Sequence, residues 1–178
     1  MTEVTLARLG LDSSTNSYVV ILREVGGRRL LPIWIGQPEA ESIVLHINNV
    51  KRERPLTHDL CKALIIALGG TLQRVEITKV QNSTYFAELH IATGSGLSVV
   101  DARPSDSIAI ALRLDAPLFA REELLTAVDD DDDDDDDDSP AFGPTPVLLP
   151  TPHGDMTPEQ LKAYLEQLRP EDFGKFTL

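Results

Sequence analysis

Leu72-Gln-Arg-Val-Glu-Ile-Thr-Lys-Val-Gln-Asn-Ser-Thr-Tyr-Phe-Ala-Glu-Leu-His-Ile-Ala92 reads as two strands, Leu72–Val80 and Tyr85–Ala92, around the polar turn Gln81-Asn82-Ser83. In the second strand Tyr85, Ala87, Leu89 and Ile91 alternate with Glu88 and His90, so one face is expected to be buried and the other polar. Phe86 falls on the polar face and breaks the pattern. Such a short turn joins antiparallel neighbours, because parallel neighbours need a crossover of a dozen or more residues. The hairpin therefore argues for an α+β fold over a doubly wound α/β one.

Working outward, Gly94–Gly96 turns the chain into a short strand, Leu97–Ala102. Pro104 then opens a helix, Ser105–Leu114, and Leu118–Ala120 reads as a last short strand. Upstream, Thr57 is expected to cap a helix running to Leu68, which Gly69-Gly70 stops. Leu60, Leu64, Ile65, Ala67 and Leu68 make that helix apolar on most sides, which predicts burial between layers. Before it, Pro38 starts a helix with Glu39 and Glu41 in its first turn and Ala40, Ile43, Val44 and Ile47 on one stripe. Val4–Leu9, Tyr18–Glu24 and Arg29–Ile35 are strand-like and separated by turn residues, an antiparallel meander. The expected fold is a compact mixed, largely antiparallel sheet with about three packed helices.

The chain's 178 residues, 42% apolar and 25% charged, suit one domain with an ordinary core. A single cysteine, Cys61, excludes an internal disulfide and fits a reducing compartment. Met1-Thr-Glu-Val shows no basic stretch leading into an apolar run, so no secretory signal is expected and a cytoplasmic location is the expectation. No apolar run approaches the roughly 20 residues that span a bilayer. The net charge of −13 is concentrated in one place: Asp129–Asp138 is unbroken aspartate, whereas residues 1–128 hold 13 basic against 14 acidic side chains. Three segments follow: a domain at residues 1–128, an Asp- and Pro-rich linker at 129–157 expected to be disordered, and a short amphipathic helix and tail at 158–178.

Glycine-rich phosphate loops, the G-x-S-x-G elbow and H-E-x-x-H are all missing. The densest polar cluster is Asp101-Ala-Arg-Pro-Ser-Asp-Ser107, entering a helix. Free amides there can hold a phosphate with Arg103, Ser105 and Ser107 assisting, and Asp101 and Asp106 can share a hard divalent cation. The competing explanation is structural, since proline, serine and aspartate are also what a helix start prefers. Thr57-His58-Asp59 holds the residue types of a hydrolase triad, yet neighbours on a helix point about 100° apart and cannot form one. His58, exposed in that reading, remains a candidate general base. Lys51, Arg52 and Arg54 form the tightest basic cluster, either a phosphate contact or a solvated loop. Glu88 and His90 share a strand face and can join a polar site.

Three blocks now carry a resemblance: Leu31-Pro-Ile-Trp-Ile-Gly-Gln-Pro-Glu-Ala-Glu-Ser-Ile43, Arg54-Pro-Leu-Thr-His-Asp-Leu60 and Asp101-Ala-Arg-Pro-Ser-Asp-Ser-Ile-Ala-Ile-Ala-Leu-Arg113. In order and spacing over residues 1–125 they resemble the hallmark blocks of the bifunctional nuclease domain family, and Leu165–Phe173 resembles the ending of many bacterial members. The resemblance implies a mixed sheet with packed helices, self-association into a dimer or larger homo-oligomer, and nuclease action on DNA and RNA. Two functions then compete. One is a phosphodiesterase using Mg²⁺ or Mn²⁺, with Asp101, Asp106, Glu39 and Glu41 as metal ligands. In it Arg103, Arg54, Ser105 and Ser107 hold phosphate, and Asp101, Asp106 and His58 are the catalytic candidates. The other is a noncatalytic binding or assembly module with a regulatory role. A near-neutral body lacks the basic field that draws a nuclease to its substrate, which weighs against the first.

Overall fold

The computed structural model describes residues 1–12 and 17–127; the expected linker and C-terminal helix lie outside the described residues. The strands are β1 (Thr2–Asp12), β2 (Ser17–Glu24), β3 (Leu30–Ile35), β4 (Thr71–Gln81), β5 (Thr84–Thr93), β6 (Gly96–Ala102) and β7 (Leu118–Ala120), and the helices α1 (Gln37–Ile47), α2 (Thr57–Ala67) and α3 (Pro104–Leu114). The strands form one sheet in the order β3-β2-β1-β7-β4-β5-β6. Every neighbouring pair is antiparallel except β4–β7. The expected α+β architecture is therefore the observed one.

The β4–β5 hairpin turns through Asn82 and Ser83, both left-handed at φ 50° and 59°. Two positive values in a row give the tight turn whose twist matches that of its strands. Between the strands Val75 faces Leu89 and Ile77 faces Ala87. These four belong to one core with Val4 of β1, Leu22 of β2, Ile33 of β3 and Leu118 of β7. The helices cover that face of the sheet: α3 packs on β4 and β5, α1 on β2, and α2 on α3 and β4. Ile108, Ala109 and Ala111 of α3 are fully buried there. Glu76, Glu88, His90 and Phe86 point to the opposite face by strand alternation. Phe86, which broke the alternation, lies beneath the Lys79 ammonium, 4.7 Å from its ring centre.

The structure corrects several local expectations. Helix α1 begins one residue before Pro38, so Glu39 falls in its first turn and Glu41 does not. Thr57 does not cap α2; Leu56 holds that position, and its amide donates to the Asp59 carboxylate at 3.0 Å. Nor is α2 sandwiched between layers, since Leu60 and Leu64 are 50% exposed and Leu68 81%. The helix lies on the outer side of α3 and needs only one stripe, with Cys61 and Ile65 packed against the core. His58, read as exposed, is instead buried.

Among the described residues no helix is long and apolar enough to cross a membrane.

Candidate functional site

All three helices begin at one cleft. A cavity of about 360 Å³ is lined by Pro38, Glu39, Glu41 and Ser42 from α1, Thr57 and His58 from α2, and Arg103 and Asp106 at the start of α3. Helix starts carry unpaired amides and the positive ends of the helix dipoles, so three at one place favour an anion. Pro38 and Pro104 occupy first-turn positions, where the missing amide hydrogen costs nothing.

Arg103 is the centre of the polar network. Its guanidinium lies between two acids: Nε donates to Asp106 Oδ2 at 2.7 Å, and Nη2 reaches Glu39 Oε1 at 2.7 Å. Beyond it, His58 Nε2 is 3.1 Å from Asp106 Oδ1, and His58 Nδ1 is 2.7 Å from Ser42 Oγ. Arg113 Nη2 donates to Ser42 Oγ at 3.0 Å. An arginine only donates, so Ser42 accepts from it and directs its own proton to His58 Nδ1. That assigns the remaining proton of a neutral His58 to Nε2, donating to Asp106. Burial alone would raise the Asp106 carboxyl, but the hydrogen bonds from Arg103 and His58 outweigh it and hold the group below the usual range. Asp106 in turn raises Arg103 further.

Ser42, His58 and Asp106 thus have the order of a Ser–His–Asp relay. Ser42 is only 5% exposed and already bound by Arg113, so no substrate phosphorus can approach its oxygen. The relay positions Asp106 and, through it, Arg103. Its base is Arg113, 4% exposed, which also donates to the Ser42 and Ala109 carbonyls and pairs with Asp59. One side chain of α3 thereby clamps α1 and α2.

The structure brings Glu39, Glu41, His58, Arg103 and Asp106 together, and places four other candidates elsewhere. Ser107 is fully buried. Ser105 lines a neighbouring cavity of about 350 Å³ with Trp34, Tyr85, Glu39 and Arg103. Arg54 is exposed in the loop before α2, and Arg52 lines the cleft in its stead. Asp101 stands opposite Glu88 on β6, so it shares the sheet face away from the helices and does not converge with Asp106. Ser42 and Arg113, missing among the candidates, had one sequence signal: an arginine inside an otherwise apolar helix.

A divalent cation does not fit among the cleft acids as they are arranged. Arg103 already bridges Glu39 and Asp106, both Asp106 oxygens are engaged, and Glu41 accepts from Gln37 at 2.9 Å. Among the described residues, the donor set that gathers without such a bridge is Glu76, Glu88 and His90 on the other sheet face, with ligand atoms within 4.8 Å of one another.

Comparison with known proteins bears on the same residues. A family model described as the bifunctional nuclease domain matches residues 20–131. An uncharacterized protein of Mycobacterium tuberculosis is 45% identical over 125 residues, covering 70% of this chain and 74% of the relative. Bifunctional nuclease 1 of Arabidopsis thaliana is 30% identical over 110 residues, 60% of this chain and 34% of that protein. Bifunctional nuclease 1 of Oryza sativa subsp. japonica is 27% identical, with 60% and 33% covered. The plant relatives are thus about three times as long as the segment they share. The three sequence blocks that line the cleft all fall within the matched segment, and the chain belongs to the bifunctional nuclease domain family.

Proposed function

We propose that the cleft at the three helix starts binds the phosphodiester backbone of single-stranded DNA or RNA and that the domain hydrolyses it. One observation supports this most: three blocks far apart in the chain, around Glu39, His58 and Arg103, line a single cavity at the starts of three helices. Arg103, with its side chain 67% exposed, is the group able to exchange its carboxylate partners for phosphate oxygens. Asp106, held ionised, keeps Arg103 charged and orients both Arg103 and His58. The adjoining cavity shares Glu39 and Arg103 and adds Trp34, 53% exposed, and Tyr85. Aromatic faces beside a phosphate-binding arginine suit unstacked bases, hence single strands. The Mg²⁺ or Mn²⁺ requirement enters as an arm of the test and carries no step here.

The test compares the full chain with Arg103→Ala on labelled DNA and RNA oligonucleotides, by fluorescence anisotropy and by cleavage in EDTA, Mg²⁺ and Mn²⁺. Loss of at least tenfold in affinity is expected, with the log–log salt slope falling by about 0.7 for one lost contact on a single strand. Equal binding and cleavage by both proteins would overturn the reading.

A second reading, an assembly module, is favoured by the outer face of α2, where Leu60, Leu64 and Leu68 recur at helical spacing and stay exposed. A second copy of the chain is the proposed partner. Light scattering that reports a monomer throughout the micromolar range would remove it.

A further inference from the structure

We infer that Glu76, Glu88 and His90 form a binding site for a borderline divalent cation of the zinc class, on the sheet face away from the helices. This does not rest on the reading of the helix cleft.

The site is set by register. Glu76 of β4 and Glu88 of β5 are directly opposite, and His90, two residues along β5, faces Arg74, so all three donors share one patch of one face. His90 is 7% exposed, and neither ring nitrogen has a hydrogen-bond partner among the described residues. A buried imidazole without partners is costly. Its Nε2 is aimed at two carboxylate oxygens, Glu76 Oε2 at 3.5 Å and Glu88 Oε2 at 3.6 Å. A nitrogen lone pair facing two anionic oxygens is unfavourable unless a proton or a cation lies between them.

The two spans from His90 fit a shared metal ion better than a shared proton, within a donor set whose ligand atoms all lie within 4.8 Å of one another. A proton shared with either oxygen needs a separation near 2.9 Å, and a contact at 3.6 Å is not a hydrogen bond. Two ligands bound at about 2.1 Å around a tetrahedral ion stand roughly 3.4 Å apart, close to both observed spans. The donor chemistry agrees. One imidazole with two carboxylates suits Zn²⁺, Co²⁺ or Mn²⁺, whereas Mg²⁺ prefers oxygen ligands and an octahedron. Arg74 Nε holds the other oxygen of Glu76, which leaves Oε2 turned toward His90, the outer support that metal-binding carboxylates commonly have. Asp101, opposite Glu88 on the next strand, adds negative charge to the same face. Glu76 and Glu88 also line a cavity of about 840 Å³ with Lys79 and Arg121. Three protein ligands leave a coordination position open, the arrangement of a site that takes an external ligand.

Cobalt(II) titration of the full chain, followed by visible absorption, tests the site. The aspartate run adds weak oxygen-only sites equally to every variant, so it forms a common background. One equivalent of Co²⁺ is expected to give tetrahedral-type bands, displaced by stoichiometric Zn²⁺ and not by equimolar Mg²⁺. Glu88→Gln and His90→Gln should each weaken binding at least tenfold. Arg74→Ala should cost about 10- to 100-fold while leaving the ligands in place. Glu88, with its side chain 39% exposed, is replaceable without disturbing the fold, so Glu88→Gln decides the matter even if His90→Gln misfolds. Absence of the bands in the wild type, or bands undiminished in Glu88→Gln, would overturn the inference.

Discussion

Arg103, Asp106 and His58 show why residue types can be legible when their roles are not. A helix-start motif drew attention to Arg103 and Asp106, and a polar pair in a helix drew attention to His58. What joins them is Ser42 and Arg113, and no local pattern marks a serine on the inner face of a helix. The network has an acid-sensitive consequence. Asp106 and Asp59 both titrate below their ordinary values, because arginine hydrogen bonds outweigh burial in each. Groups depressed in this way stabilise the fold above their unfolded values, near pH 4, and that contribution disappears as pH falls through the lower folded values. Melting temperature should therefore fall steeply below about pH 4. Asp106→Asn should melt lower than wild type at pH 6, with the two curves converging toward pH 2.5; parallel curves would show that Asp106 is not the linked group. Arg113 supplies a second expectation at this scale. Its fork serves Ser42, Asp59 and Ala109 at once, so Arg113→Lys, which cannot reproduce the fork, should lose roughly 3 kcal/mol in urea denaturation. A loss within 0.5 kcal/mol, the range of ordinary surface substitutions, would remove the clamp.

At the scale of elements, the hairpins were the legible part. Alternation marks β4 and β5, and their turn residues do what polar turn residues do. Helix α2 misled because composition registers how apolar a helix is without saying what covers it. Its burial needs are met by Cys61 and Ile65 on one side, while Leu60, Leu64 and Leu68 face outward. That face separates stability from assembly. Leu64→Glu should leave monomer stability within about 0.5 kcal/mol, as exposed substitutions usually do. If a second copy covers α2, the same change should shift the mass by light scattering to that of one chain. Strong destabilisation of a protein already monomeric would mean that the leucine supports the core instead.

Across the whole molecule, one sheet presents two unlike faces. The helix side carries the cleft, where Glu39, Glu41 and Asp106 stand with Arg52 and Arg103, and the other side carries Glu76, Glu88 and Asp101 with Arg74 and Lys79. A body with nearly balanced charge is therefore not featureless, because each face of the sheet gathers its own cluster of paired charges. The sequence total hid this, since Asp129–Asp138 dominates it and alternation alone did not say which face each strand would turn to the helices. The aspartate run lies outside the described residues, and its ten like charges are expected to repel a polyanion approaching the domain. Deleting it should tighten oligonucleotide binding at low salt, with the difference closing once the Debye length falls below about 10 Å near 0.1 M. Equal affinity at low ionic strength would show that the run does not reach the cleft's field.

Strand β7 is three residues long, and among the described residues it is the one strand that joins the β1-β2-β3 meander to the β4-β5-β6 sheet. It arrives last, pairing Leu118 with both Val4 and Val75. Until this strand is in place, the inner edges of β1 and β4 have no partner in the sheet. A chain interrupted just before residue 118 would expose the flanks of β1 and β4 to each other's counterparts in neighbouring molecules, so such fragments should be cleared or aggregate. Among the described residues, the two half-sheets become one through a seam of three residues.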